Sequence, residues 1–185
     1  MGIFWLFGGI AIMVLSLWAQ ARVQSTFRRF AEVPSRLGRT GADVARLLLD
    51  ARGLQDVRVE RAGGFLTDHY DPRDRVLRLS EATHDSSSVA AIGVAAHEAG
   101  HALQHADRYP WLGFRSAVVP VVSIGSRLLP FLTMFMIFSL SAAHNRSEPG
   151  VLAYVLVAAL AAVAVFGLIT LPVEFDASKR ALQTV

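Results

Sequence analysis

Two histidines four residues apart enclose a glutamate in the run His97-Glu98-Ala99-Gly100-His101. On an α-helix that spacing sets the imidazoles about 40° apart around the axis and about 6 Å apart along it. Both can then reach one tetrahedral Zn2+. Glu98 stands about 100° round from His97, so its carboxylate can approach a water on the metal without binding the metal itself. Together these residue types can hydrolyse. The metal acidifies water and polarises a carbonyl, while Glu98 takes a proton as general base and hands it to the leaving group. Burying two histidines and a glutamate with no metal is costly. That weighs against a core helix whose histidines merely satisfy hydrogen bonds.

The motif needs a helix to present it, and the sequence supplies one. Asp85 and Ser86 to Ser88 are N-cap candidates, and residues 89–96 form an apolar run leading into the motif. Upstream, residues 40–51 read as an amphipathic helix that Gly53 stops. Residues 56–60 and 75–80 alternate like strands, with Gly63-Gly64 and a polar loop over 67–74 between them. No internal repeat or low-complexity segment is evident.

The rest of the chain is unusually apolar. Its 185 residues are 53% hydrophobic with a mean hydropathy of +0.42, too greasy for an ordinary soluble domain. With no cysteine, disulfides and thiolate zinc sites are excluded. No arginine-rich stretch interleaved with aromatics suggests a nucleic-acid surface. Three segments read as membrane spans: residues 3–19, 117–143 and 151–173. The first lacks the basic flank and cleavage site of a signal peptide and reads as an uncleaved anchor. The second contains Pro120, Arg127 and Pro130. Arg127 either snorkels to the headgroups or faces the active site.

Charge gives the orientation. Fourteen of the 18 basic residues lie between Arg22 and Arg115, whereas the loop over 143–150 has only Arg146, offset by Glu148. The positive-inside rule therefore expects an outside N-terminus, a cytoplasmic 21–115 domain and a cytoplasmic tail after residue 173. Two spans separate His101 from that tail, so both lie on one face of the membrane.

A catalytic zinc usually takes three protein ligands and a water. His105 lies about 12 Å along the same helix from His97 and cannot reach the same ion if the helix is continuous. His69, in the 67–74 loop, would have to fold back. Glu174 begins Glu174-Phe175-Asp176-Ala177 just past the third span, on the correct face. A carboxylate abutting a membrane helix needs a partner, a metal or a neighbouring Lys179 or Arg180. Glu174 is the strongest candidate. Asp176 points about 200° away and cannot easily share the role.

His-Glu-Ala-Gly-His-Ala-Leu-Gln over 97–104, the run over 171–182 and the segment over 67–80 together resemble the YugP-like neutral zinc metallopeptidases of bacteria. The resemblance covers nearly the whole chain. More widely, the pattern is similar to membrane gluzincins, such as the CAAX prenyl proteases and heat-shock membrane proteases. There a glutamate in an E-F/Y-x-A-D-like string completes the zinc site. Glu174 to Ala177 match that string, but Ser178 stands where the acid would be. The resemblance also implies a further hydrophobic helix beyond Val185, and a strand edge before the motif helix that receives an extended peptide.

The expected fold is a mainly α membrane protein. It has an N-terminal span (1–20), a small α+β zincin-like cytoplasmic domain (21–115), a transmembrane hairpin (116–173) and the start of a cytoplasmic helix (174–185). The expected function is zinc-dependent peptide-bond hydrolysis at the cytoplasmic face of the bacterial plasma membrane. His97, His101 and Glu174 would hold Zn2+, Glu98 would act as base, and a peptide or membrane protein would be the substrate. His69, Tyr70 and Arg180 are each candidates for the oxyanion donor. The alternatives are a non-catalytic membrane zinc-binding or assembly protein, a helical scaffold with an accidental motif, and a zinc hydrolase of non-peptide amides.

Overall fold

A computed structural model of the chain describes residues 2–142 and 151–184, so the 143–150 loop with Arg146 and Glu148 lies outside the described residues. The protein is mostly helical with one small sheet. The elements run α1 (Gly2–Ala31), α2 (Gly41–Ala51), β1 (Arg58–Ala62), β2 (His69–Asp71), β3 (Val76–Ser80), α3 (Glu81–His84), α4 (Val89–Ala106), α5 (Pro110–Ala142) and α6 (Val151–Thr184). They divide into two compact units: residues 1–102 with 181–185, and residues 103–180.

In the first unit the sheet has the order β1-β3-β2. The central strand β3 pairs parallel with β1, from Arg58 opposite Val76 to Ala62 opposite Ser80, and antiparallel with β2. β3 is the most buried strand, with Val76, Leu77 and Leu79 fully enclosed. Helix α2 adds Val44, Ala45, Leu48 and Leu49, spaced to line one face. It starts at a capping box. Thr40 accepts the Asp43 amide on its hydroxyl, and the Asp43 carboxylate accepts the Thr40 amide in return. It ends where Gly53 turns left-handed at φ 71°, with the Leu54 amide on the Leu49 carbonyl. Gly41 is required at the entry. A Cβ there would sit 2.2 Å from the Thr83 carbonyl oxygen.

Helix α1 continues past the apolar 3–19 stretch to Ala31. The side chains of residues 1–10, 12 and 13 are outside the described residues. Further along, Phe27 is buried and stacks edge-on against Phe65, with ring centroids 5.5 Å apart.

Among the described residues, two helices are long and apolar enough to cross a membrane, over Pro110–Phe135 and Tyr154–Gln183. Their mean hydropathies are 1.7 and 2.5, and almost none of either is buried in protein. Pro110 opens α5 at the first helical position, where its missing N–H costs nothing. Pro120 and Pro130 lie inside α5, and Arg127 is exposed on it. Helix α6 runs unbroken through Pro172 to Thr184.

Candidate metal centre

Helix α4 is held firmly at its start. Ser88 is the residue that caps it, accepting the Ala91 amide on its hydroxyl and the Ile92 amide on its carbonyl. The Val89 amide and the Ser87 carbonyl bond to the segment after α1, through Val33 and Ser35 respectively. Asp85, the other cap candidate, is engaged elsewhere. The His84 ring and Arg61 hydrogen-bond it and hold its carboxyl below the usual value. Beyond the cap, Ala91, Ala95, Ala96, Ala99 and Ala102 are buried at helical spacing, and these small side chains let α4 lie close against its surroundings.

That anchoring fixes the histidine pair. The His97 and His101 rings stand edge to face, with centroids 4.8 Å apart. His101 is buried at 6% exposure, while His97 and Glu98 are half-buried. Two imidazole nitrogens from successive turns, partly shielded from water, fit a zinc ion. α4 has no break before Ala106, so His105 stays two helical turns beyond His97.

His69 does not stay in a loop. It opens strand β2, is exposed, and its Nδ1 lies 2.7 Å from the Thr67 carbonyl oxygen. Burial pushes the neighbouring Tyr70 hydroxyl up to about 12, so it keeps its proton at neutral pH.

In the second unit, Glu174 is half-buried on α6, two residues after Pro172. Arg115 of α5 reaches its Oε1 with a guanidinium nitrogen at 3.2 Å. Gln104 is fully buried and donates its side-chain amide to the Val173 carbonyl and to Asp176, each at 2.8 Å. Asp176 also accepts from Arg180 Nε at 2.6 Å, and Arg180 pairs with Asp107 and lies over the Tyr109 ring. Arg180 is thus committed to two carboxylates. Arg115 was not singled out from the sequence, and Gln104 only as the last residue of a motif string. Each works through a partner about 60 or 70 residues away, which local spacing does not reveal.

Comparison with known proteins covers nearly the whole chain. The profile of the family described as "Putative neutral zinc metallopeptidase" matches residues 5–185. A Bacillus subtilis (strain 168) protein named "Putative membrane protease YugP" is 46% identical over 176 residues, covering 95% of this chain and 75% of that protein. No solved structure matches significantly. Zinc is the metal that such membership implies, and the histidine pair of α4 suits it. With nearly its whole length matched, the chain belongs to the neutral zinc metallopeptidase family that this profile describes.

Proposed function

We propose that the protein is a membrane-embedded endopeptidase that hydrolyses peptide bonds near the cytoplasmic membrane face. His97 and His101 of α4, with Glu174 of α6, hold zinc. The carrying observation is the pair of imidazoles set edge to face on a capped helix, with Glu98 beside them. Two imidazoles and one carboxylate make a donor set able to hold a metal ion. Gln104 supports the choice of Glu174. It follows His101 by three residues on the same unbroken helix, and it bonds the carbonyl of the residue before Glu174.

Zinc, when bound, supplies a Lewis acid that polarises a carbonyl and acidifies water. Glu98, adjacent to His97 and half-buried, accepts the proton of the attacking water and delivers it to the amine that leaves. Purely structural zinc binding would need no such base. Tyr70, protonated at neutral pH, has the chemistry of an oxyanion donor, as does His69, whereas Arg180 is already held by Asp176 and Asp107.

The apolar runs 3–19, 117–143 and 151–173 are read as three spans, the last two along α5 and α6. The excess of arginine between Arg22 and Arg115 supports a cytoplasmic domain. The test is metal removal. Protein purified in detergent and stripped with a chelator should lose hydrolysis of a fluorogenic peptide and regain it on stoichiometric zinc. Hydrolysis indifferent to stripping would contradict the reading.

A further inference from the structure

Arginines of the first unit are used in different ways. Arg46, Arg58, Arg61, Arg75 and Arg78 each pair with a carboxylate. Arg22, Arg28 and Arg29 stand on the part of α1 that runs past its apolar stretch. All three are exposed and have no carboxylate partner among the described residues; Arg29 lies over the Phe30 ring instead. Over residues 20–39 five arginines face a single acid, Glu32. Apolar side chains stand open beside them. Phe27 is buried under Phe65 of the loop between β1 and β2, yet Val23, Phe30 and Phe65 remain 61%, 40% and 50% exposed.

Position along α1 decides which anion is in reach. Trp18, exposed near the end of the 3–19 run, is the residue type that marks a membrane–water boundary. Arg22 follows it by about 6 Å, and Arg28 and Arg29 by about 15–17 Å. Long helical side chains lean back toward the N-terminus, here toward the bilayer. The headgroup layer is about 5–8 Å deep on each side, and its field extends a further Debye length of about 8 Å. Guanidiniums pair well with phosphate, and basic clusters beside a membrane helix attract anionic lipid.

We propose that the extension of α1 and the tip of the β1–β2 loop form an interfacial surface for anionic phospholipid. Arg22, Arg28 and Arg29 bind the headgroups, and Phe65 is seated against them. The proposal rests on residues 3–19 crossing the membrane, as read above.

The chain has no cysteine, so one introduced cysteine carries a single spin label. Two positions are labelled in protein reconstituted into vesicles of equimolar phosphatidylcholine and phosphatidylglycerol. One is Leu15, exposed within the apolar run; the other is Gly63, where an added Cβ meets nothing within 4 Å. The Leu15→Cys label should collide with dissolved oxygen and be shielded from a water-soluble nickel chelate, and the Gly63→Cys label should be partly shielded. In parallel, native mass spectrometry of the full chain in micelles holding equal amounts of the two lipids measures which is retained. Wild type should retain phosphatidylglycerol over phosphatidylcholine. Arg28→Gln/Arg29→Gln should lower that preference by about fivefold or more. Arg52→Gln, which removes an exposed arginine outside the cluster, should change it little. Equal retention of the two lipids by wild type, or a loss in Arg52→Gln as large as in the double variant, overturns the proposal. A Leu15 label open to nickel overturns the span and the proposal with it. A shielded Leu15 label beside a fully open Gly63 label overturns the seating of the loop while leaving the span intact.

Discussion

Gln104 donates its side-chain amide to the main-chain carbonyl of Val173 at 2.8 Å, and the next residue is Glu174. The last turn of α4 thereby holds the backbone of α6 at the residue before Glu174. The same amide reaches Asp176, which Arg180 also holds. A single buried glutamine therefore joins the end of HEAGHALQ to the 171–182 run, two strings separated by most of two long apolar helices.

Replacing Gln104 tests that link. Gln104→Leu keeps the volume but deprives Asp176 and the Val173 carbonyl of a donor, a loss of about 1–3 kcal/mol. Gln104→Glu sets a second carboxylate against Asp176 and should destabilise more. Thermal unfolding in detergent should rank wild type above Gln104→Leu above Gln104→Glu. Equal melting temperatures would show that the bonds carry no stability.

Among the described glycines, Gly41 has the least room for a side chain. An alanine Cβ there would lie 2.2 Å from the Thr83 carbonyl oxygen and 3.2 Å from that of Ala91. Both neighbours are backbone and neither can swing aside. Gly41→Ala should destabilise by about 1–3 kcal/mol through forced backbone displacement, despite alanine's higher helix propensity. Chemical denaturation would register it, and a stabilised variant would contradict the packing.

The capping box predicts a pH dependence. The Thr40 backbone amide, reinforced by its hydroxyl, holds the Asp43 carboxyl below its ordinary 3.8. A carboxyl lowered by folding contributes stability that is fully present above its unfolded value. That contribution is lost as pH falls through the lower folded value. Asp43→Asn should remove this part of the acid dependence and flatten the stability curve below pH 4. Curves of identical slope for the two proteins would argue against it.

Much of this organisation is legible in the sequence, because it depends on short-range rules. The motif helix follows from its apolar run and serine cap, and α2 from its periodicity, Thr40 and Gly53. β1 and β3 lie within two residues of the alternating runs that announce them. The three-residue β2 is too short to alternate. It exists because β3 offers an open edge to His69, Tyr70 and Asp71. Helix α1 outruns its apolar signal because a helix persists on propensity after its hydrophobic face ends. The charge partners were the least legible. Sequence proximity suggests Lys179 or Arg180 for Glu174, yet Arg115 reaches it, while Arg180 is engaged by Asp176 and Asp107. Such pairings depend on which helices meet, and neither spacing nor composition encodes that.

The central claim is that Glu98 serves as the base of a zinc peptidase. Glu98→Gln keeps the side chain's size and leaves both histidines in place, so zinc content by elemental analysis should match wild type. Turnover of a fluorogenic peptide, and of membrane proteins whose released fragments are compared by mass spectrometry, should fall by at least about 100-fold. Full zinc content with turnover lost is the predicted result. Full zinc content with turnover retained would contradict the account.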